Sequence, residues 1–140
     1  MFSLAIQGSP RKSGNTSIMV LTFLEELEAK GAKGKILEVY NMKIMPCVEC
    51  GACVEDGFCP IEDDMQEIYG LLRSADLVII GTPIFFYGPT APIKALIDRS
   101  QALWARKYVL GLTDPGRKNR KGFLLTVGAT KGKNLFEGVI

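Results

Sequence analysis

Apolar and polar positions alternate along the chain in blocks that switch between short runs and helical spacing. Phe2 to Gln7 is an apolar run of strand length. Asn15 to Lys30 carries Val20, Leu21, Phe23, Leu24 and Leu27 at helical intervals, and Gly31 follows as a helix stop. Gly34 to Val39 reads as a second strand. Ile61 to Ser74 reads as a second helix with Met65, Ile68, Leu71 and Leu72 on its apolar face, and Asp63 and Asp64 suit its N-terminal dipole. Asp76 to Gly81 contains an unbroken Leu-Val-Ile-Ile run, the pattern of a central parallel strand buried on both faces. A third helix begins near Thr90 with Pro92 in its first turn; its apolar positions include Ile93, Leu96, Ile97 and Leu103. Leu110 to Arg120 is a Gly-, Pro- and Lys-rich connection. Gly122 to Val127 reads as a fourth strand, and Lys133 to Ile140 as the start of another helix.

Alternating strands and helices predict one α/β domain over residues 1–140, built on a doubly wound parallel sheet. A flavodoxin-like sheet has five strands in order 2-1-3-4-5. Four are visible, so the fifth strand is expected to be missing. The chain is then a fragment, or another chain covers the fourth strand's edge. Phe123, Leu124, Leu125 and Val127 make that edge apolar, and Phe85 to Tyr87 and Trp104 add further apolar surface. A homo-oligomer, dimer or tetramer, is expected on this ground.

Composition narrows the chemistry. The 140 residues carry a net charge of +2, which gives no electrostatic case for nucleic acid or an anionic membrane. The start of the chain lacks a basic leader and a long apolar stretch, which predicts a cytoplasmic protein. There is no histidine. Histidine general bases and histidine metal ligands are therefore excluded, and chemistry falls to cysteines, carboxylates, hydroxyls or a bound cofactor.

Three loops carry that chemistry. Gly8 to Ser17, GSPRKSGNTS, lies between the first strand and the first helix. Backbone N–H groups and the helix dipole favour an anion there. Ser9, Ser13, Thr16 and Ser17 offer hydroxyls, and Arg11 adds charge. Five residues separate Gly8 from Gly14, and Asn15 stands where a Walker loop needs lysine; G-x-G-x-x-G is also absent. A monophosphate fits these residues better than a dinucleotide. The alternative is a polar turn with Asn15 or Thr16 as helix cap.

The second loop, Gly81 to Pro89 (GTPIFFYGP), follows the third strand and flanks the same crevice, at the switch point between strands 1 and 3. Ile84, Phe85, Phe86 and Tyr87 suit the walls of an isoalloxazine site. Core or oligomer contacts are the other reading.

The third loop holds all four cysteines. Cys47, Cys50, Cys53 and Cys59 are spaced C-x2-C-x2-C-x5-C, with Pro60 following. Compact C-x2-C-x2-C runs suit an iron–sulfur cubane, while zinc sites separate two C-x2-C pairs more widely. A cluster, zinc and no metal all remain open on spacing alone.

Together, GSPRKSGNTS, PCVECGACVEDGFCPIEDDM and ADLVIIGTPIFFYGPTAPIKALIDR resemble the NAD(P)H-dependent FMN reductase-like group of flavodoxin-fold proteins, and more narrowly the iron–sulfur flavoproteins of archaea and bacteria. The resemblance implies that Ser9, Arg11, Ser13, Asn15, Thr16 and Ser17 surround an FMN phosphate. It implies that Pro83, Ile84, Phe85, Phe86, Tyr87 and Gly88 hold the flavin ring, and that the four cysteines bind a 4Fe-4S cluster. It further implies an oligomer in which flavin and cluster meet near a subunit interface. The activity implied is that of a flavin-dependent oxidoreductase, passing electrons from a small-molecule or ferredoxin donor, such as NAD(P)H or reduced ferredoxin, to an acceptor. No side-chain acid or base is required. A cluster-free NAD(P)H-dependent FMN or quinone reductase and a zinc-stabilised module without catalysis are the alternatives.

Overall fold

The computed structural model describes residues 1–112 and 119–140. Strands β1 (Phe2–Gln7), β2 (Lys33–Glu38), β3 (Leu77–Pro83) and β4 (Lys121–Val127) form one parallel sheet in the order β2-β1-β3-β4. This is the flavodoxin-like order, with four strands among the described residues. The connection expected over Leu110–Arg120 lies mostly outside the described residues.

The helices are α1 (Asn15–Ala29), α2 (Cys53–Asp56), α3 (Met65–Ser74), α4 (Ala91–Arg99) and α5 (Gln101–Trp104), the last continued by a wider turn over Ala105–Val109. α1 closes on Gly31, whose φ of +84° suits glycine and whose N–H donates to the Glu28 carbonyl at 2.8 Å. α3 starts four residues later than its sequence pattern suggests. The Asp63 carboxylate accepts the Met65 N–H at 3.0 Å and so marks the helix start, which leaves residues 59–62 free to run beside the cysteine loop.

Side chains alternate across the strands and make two cores. Leu4 and Ile6 of β1 pack with Met65, Ile68, Ile93 and Leu96 on the α3–α4 face. Ala5, Leu77 and Ile79 pack under Val20 and Leu24 of α1. Small residues on this second face let α1 sit close: a Cβ on Gly81 would lie 2.1 Å from Val20 Cγ2. Leu21, expected on the buried stripe of α1, is exposed, because one face of a helix against a sheet is narrower than the apolar set written into residues 20–27.

β3 departs from the expectation of burial on both faces. Leu77 and Ile79 are buried, but Val78 and Ile80 are half-buried. Val78 and Ile80 open onto an apolar cavity of about 530 Å³ shared with Ile93 and Ile97 of α4 and with Phe123, Leu124, Val139 and Ile140. The helix expected from Lys133 is also not formed. Residues 133–140 make successive turns, with Glu137 N–H on Asn134 O and Val139 N–H on Phe136 O. Leu135 anchors the segment beside Gly128, and Gly138 presses on the Tyr87 carbonyl so closely that a Cβ there would lie 1.9 Å from it. Docking on the β3–α4 loop replaces helical continuation.

Candidate cofactor sites

The carboxyl ends of β1, β3 and β4 open onto a crevice of about 670 Å³. Its walls are Ser9, Pro10, Arg11, Ser13, Gly14, Asn15 and Thr16 on one side, and Pro83, Ile84 and Phe85 on the other. Val127, Gly128 and Ala129 complete it; sequence reading missed these three, although any residue just past a parallel strand is a candidate for such a wall.

The first loop is held by its own strand. Gln7 is buried, donates from Nε2 to Ser17 Oγ at 2.7 Å, and accepts the Ser9 N–H on Oε1. Ser17 Oγ in turn donates to the Arg11 carbonyl at 2.7 Å. Ser17 is thus turned inward as a brace, and Gln7 is a positioning residue that the apolar pattern of β1 concealed. The N-terminus of α1 points into the crevice with Gly14 as its cap and no side chain capping it. Its first N–H groups have no partner within the helix, which leaves them for an anion. The backbone must pass close here: a Cβ on Gly8 would lie 2.3 Å from Ile93 Cγ1. Thr90, the cap of α4, donates from Oγ1 to the Gly8 carbonyl at 2.8 Å and from its N–H to Thr82 Oγ1 at 3.1 Å, which ties the two loops together.

Phe86, Tyr87 and Gly88 do not line the crevice. Phe85 N–H donates to Gly88 O at 3.0 Å and Gly88 N–H to Phe85 O at 3.1 Å, a tight reversal that puts Phe86 at φ +49° and Tyr87 at φ +63°. Phe86 is fully exposed, and Tyr87 rests against Gly132 and Gly138. Bulky residues in the left-handed region are strained by roughly 1–3 kcal/mol each. Phe86→Asn removes no buried surface and places a residue that tolerates this conformation. The flavin-free protein is expected to gain about 0.5–1 kcal/mol, read as a higher urea midpoint at unchanged slope.

The cysteine loop forms a second cavity of about 820 Å³ lined by Cys47, Cys50, Cys53 and Cys59 together with Ile97, Asp98, Arg99 and Gln101. None of the four is in a disulfide; Cys47 and Cys50 are exposed, Cys53 and Cys59 half-buried. Burial pushes the Cys53 thiol above its ordinary 9.0, and the neighbouring Cys59, Cys47 and Cys50 add to the rise against a backbone hydrogen bond that lowers it. Among the described residues, no three Cys, Asp or Glu side chains converge in a way that would hold a single metal ion.

The neck of the loop is pinned. Asp64 N–H donates to Lys43 O at 3.1 Å and Lys43 N–H to Asp64 Oδ2 at 2.6 Å. Gln66 Nε2 donates to Cys59 O at 2.9 Å and Ile61 O at 2.7 Å. Arg99 and Asp63 form an ion pair whose two side chains are fully covered. Tyr69 donates to the Arg99 carbonyl at 2.8 Å, and burial pushes its hydroxyl up to about 12.

Burial alone would push the Asp63 carboxyl up, but hydrogen bonds from Arg99, Met45 and Met65 outweigh it and hold the group below its ordinary 3.8. A depressed carboxyl stabilises the fold above its unfolded value and loses that contribution as pH falls through the folded one. The thermal midpoint is therefore expected to drop on acidification below about pH 4. Asp63→Asn, which cannot titrate, should flatten that part of the profile.

Residues 1–126 match the NADPH-dependent FMN reductase family. The chain belongs to this family. Several similar proteins bear the name iron-sulfur flavoprotein. An iron-sulfur flavoprotein of Methanocaldococcus jannaschii is 38% identical over 128 residues, covering 91% of this chain and 62% of that protein. Another, of Methanosarcina thermophila, is 36% identical over 126 residues, with 90% and 62% covered. The chain thus spans about three fifths of the length of these two relatives. Fold similarity extends further: an NAD(P)H:quinone oxidoreductase of Methanothermobacter marburgensis superposes with a TM-score of 0.65 at 15% identity, over 99% of this chain and 92% of that one. Among the described residues no helix is long and apolar enough to cross a membrane.

Proposed function

We propose that this FMN reductase family chain binds FMN in the β1–β3–β4 crevice and a 4Fe-4S cluster in the cysteine cavity, and passes electrons between a reduced donor and an acceptor. The observation that carries the reading is that one element serves both sites. The cap of α4 holds the Gly8 carbonyl of the first loop, and its last residue, Arg99, lines the cysteine cavity. Arg99 stands nine residue steps after Thr90, about 14 Å of helical backbone.

In the crevice, the uncapped N-terminus of α1 with Ser9, Ser13, Asn15 and Thr16 suits a phosphate, and Arg11 adds a positive charge beside it. Pro83, Ile84 and Phe85 offer the apolar wall for the ring, while Ser17 shapes the loop from behind. The hydroxyl-rich first loop offers one monophosphate site and the sequence carries no G-x-G-x-x-G dinucleotide pattern, which favours FMN over FAD. In the second cavity, four thiols spread around a large opening suit a cubane better than zinc, which gathers its ligands about one centre. Flavin supplies hydride and single-electron chemistry, and the cluster supplies single-electron transfer. The side chains bind, orient and exclude water.

The donor is proposed to be NAD(P)H or a reduced ferredoxin, and the assembly a homo-oligomer. Phe123, Leu124 and Trp104 are exposed apolar surface consistent with a covering subunit. Anaerobic purification tests the whole reading. FMN released at its own mass, with iron and sulfide near four per chain, is expected. FAD would overturn the crevice assignment. Iron-free protein with FMN would favour a plain reductase, and one zinc per chain a structural metal. Sedimentation as a single monomeric species would overturn the assembly.

A further inference from the structure

α4 carries a buried cation at its last residue. Ile93, Leu96, Arg99 and Ala102 follow one another on the buried face of α4 and α5, and Arg99 is 1% exposed in a stripe that is otherwise apolar. Burying a guanidinium is costly unless its donors are used. Nη1 donates to the Met45 carbonyl at 2.9 Å and to Asp63 Oδ2 at 2.7 Å. Nη2 donates to the Ile61 carbonyl at 3.3 Å and to Asp63 Oδ1 at 3.1 Å. Asp63 returns to the same strand of chain by accepting the Met45 N–H on Oδ2 at 2.8 Å.

Met45 lies two residues before the first cysteine and Ile61 two residues after the last. One planar group therefore holds both mouths of the cysteine loop at once. Arg99 also lines the cavity, and its Nε–H is buried with no hydrogen-bond partner in the protein. We propose that Arg99, locked by Asp63, is the positioning residue of the cysteine cavity: it fixes where the four thiols stand and sets the charge beside whatever they bind. The proposal rests on the cluster reading for its redox part and on the loop geometry alone for the rest.

Lysine keeps the charge but cannot span two carbonyls and two carboxylate oxygens together. In Arg99→Lys, iron is expected to be lost to a chelator about 10- to 100-fold faster than in the parent, with FMN content unchanged. Equal rates overturn the proposal. Charge is read separately, from the cluster midpoint potential. Asp63→Asn leaves the cation uncompensated and should make the potential more positive; Arg99→Gln leaves the carboxylate and should make it more negative. Shifts of the same sign, or none, overturn the electrostatic role, since a pair that only glued the fold would give no such opposition. A third measurement needs no iron. In the metal-free parent, Cys53 and Cys59 should be alkylated more slowly than Cys47 and Cys50, and Arg99→Lys should erase that difference. If the parent reconstitutes without iron, the cluster reading fails, and this alkylation pattern still decides the clamp: an unchanged pattern in Arg99→Lys overturns it. Should Arg99→Lys not fold, the same alkylation comparison on Asp63→Asn decides it in the same way.

Discussion

Asn15→Glu is expected to abolish FMN binding while leaving the flavin-free protein as stable as the parent or slightly more so. Asn15 is the first residue of α1, exposed, and on the wall of the crevice. A carboxylate at a helix N-terminus interacts well with the dipole, a gain of about 0.3–1 kcal/mol. The same carboxylate faces a phosphate that needs the same N–H groups. Two unit charges about 4 Å apart repel by about 4 kcal/mol at the dielectric typical of a protein surface, and a phosphate carries nearly two. Affinity should fall by at least about 100-fold, since each 1.4 kcal/mol is tenfold. Titration of the stripped protein with FMN, followed by flavin fluorescence, gives the affinity, and thermal melting of the same sample gives the stability. Tight binding in the variant would move the phosphate away from the α1 terminus. The neighbouring Thr16 is a poorer site for this substitution: it is buried, and a carboxylate there would unsettle α1 as well as the ligand.

Cys50→Ser is expected to remove iron and sulfide and to leave FMN bound. Cys50 is exposed, its side chain supports no core, and its loop is held at the neck by contacts that do not involve it. Serine is nearly isosteric but a poor iron ligand, so the loss should be specific. Iron analysis should fall from near four atoms per chain to a small residue, with flavin absorbance retained and the melting midpoint little changed. Loss of both cofactors together would mean that the two cavities are not independent. Retention of iron would mean that Cys50 is not a ligand.

Much of the scaffold is legible in the sequence. The strands at Phe2–Gln7 and in the Leu-Val-Ile-Ile run are apolar enough to be unambiguous, and strand–helix alternation leaves few topologies. The loops at Gly8 and Cys47 stand out because hydroxyls and thiols cluster there. What stayed hidden depends on direction rather than composition. Ser17 and Thr16 look alike in the sequence, yet Ser17 turns its hydroxyl back to Gln7 and Arg11. Phe86 and Phe85 look alike, but a two-residue reversal sends Phe86 outward. Arg99 reads as an ordinary charge near a helix end. The signal that could have found it is spacing: it falls three residues after Leu96 and six after Ile93, on the buried stripe, whereas Ile97, which the apolar pattern favoured, is exposed.

The paired hydrogen bonds between Lys43 and Asp64 have a bearing on how such a chain could change over generations. They close a long excursion at its base, so the residues between act as a detour whose two ends already meet. Once ends are joined, the entropic cost of lengthening a detour grows only with the logarithm of its length. Insertions or deletions between residues 45 and 61 are therefore expected to cost β1, β3 and the crevice they open onto little, provided the places of Cys53 and Cys59 against the core are refilled. The cysteine segment is in this sense a cassette, exchangeable at its base, and the same sheet could carry it, trim it or lose it while keeping its other site.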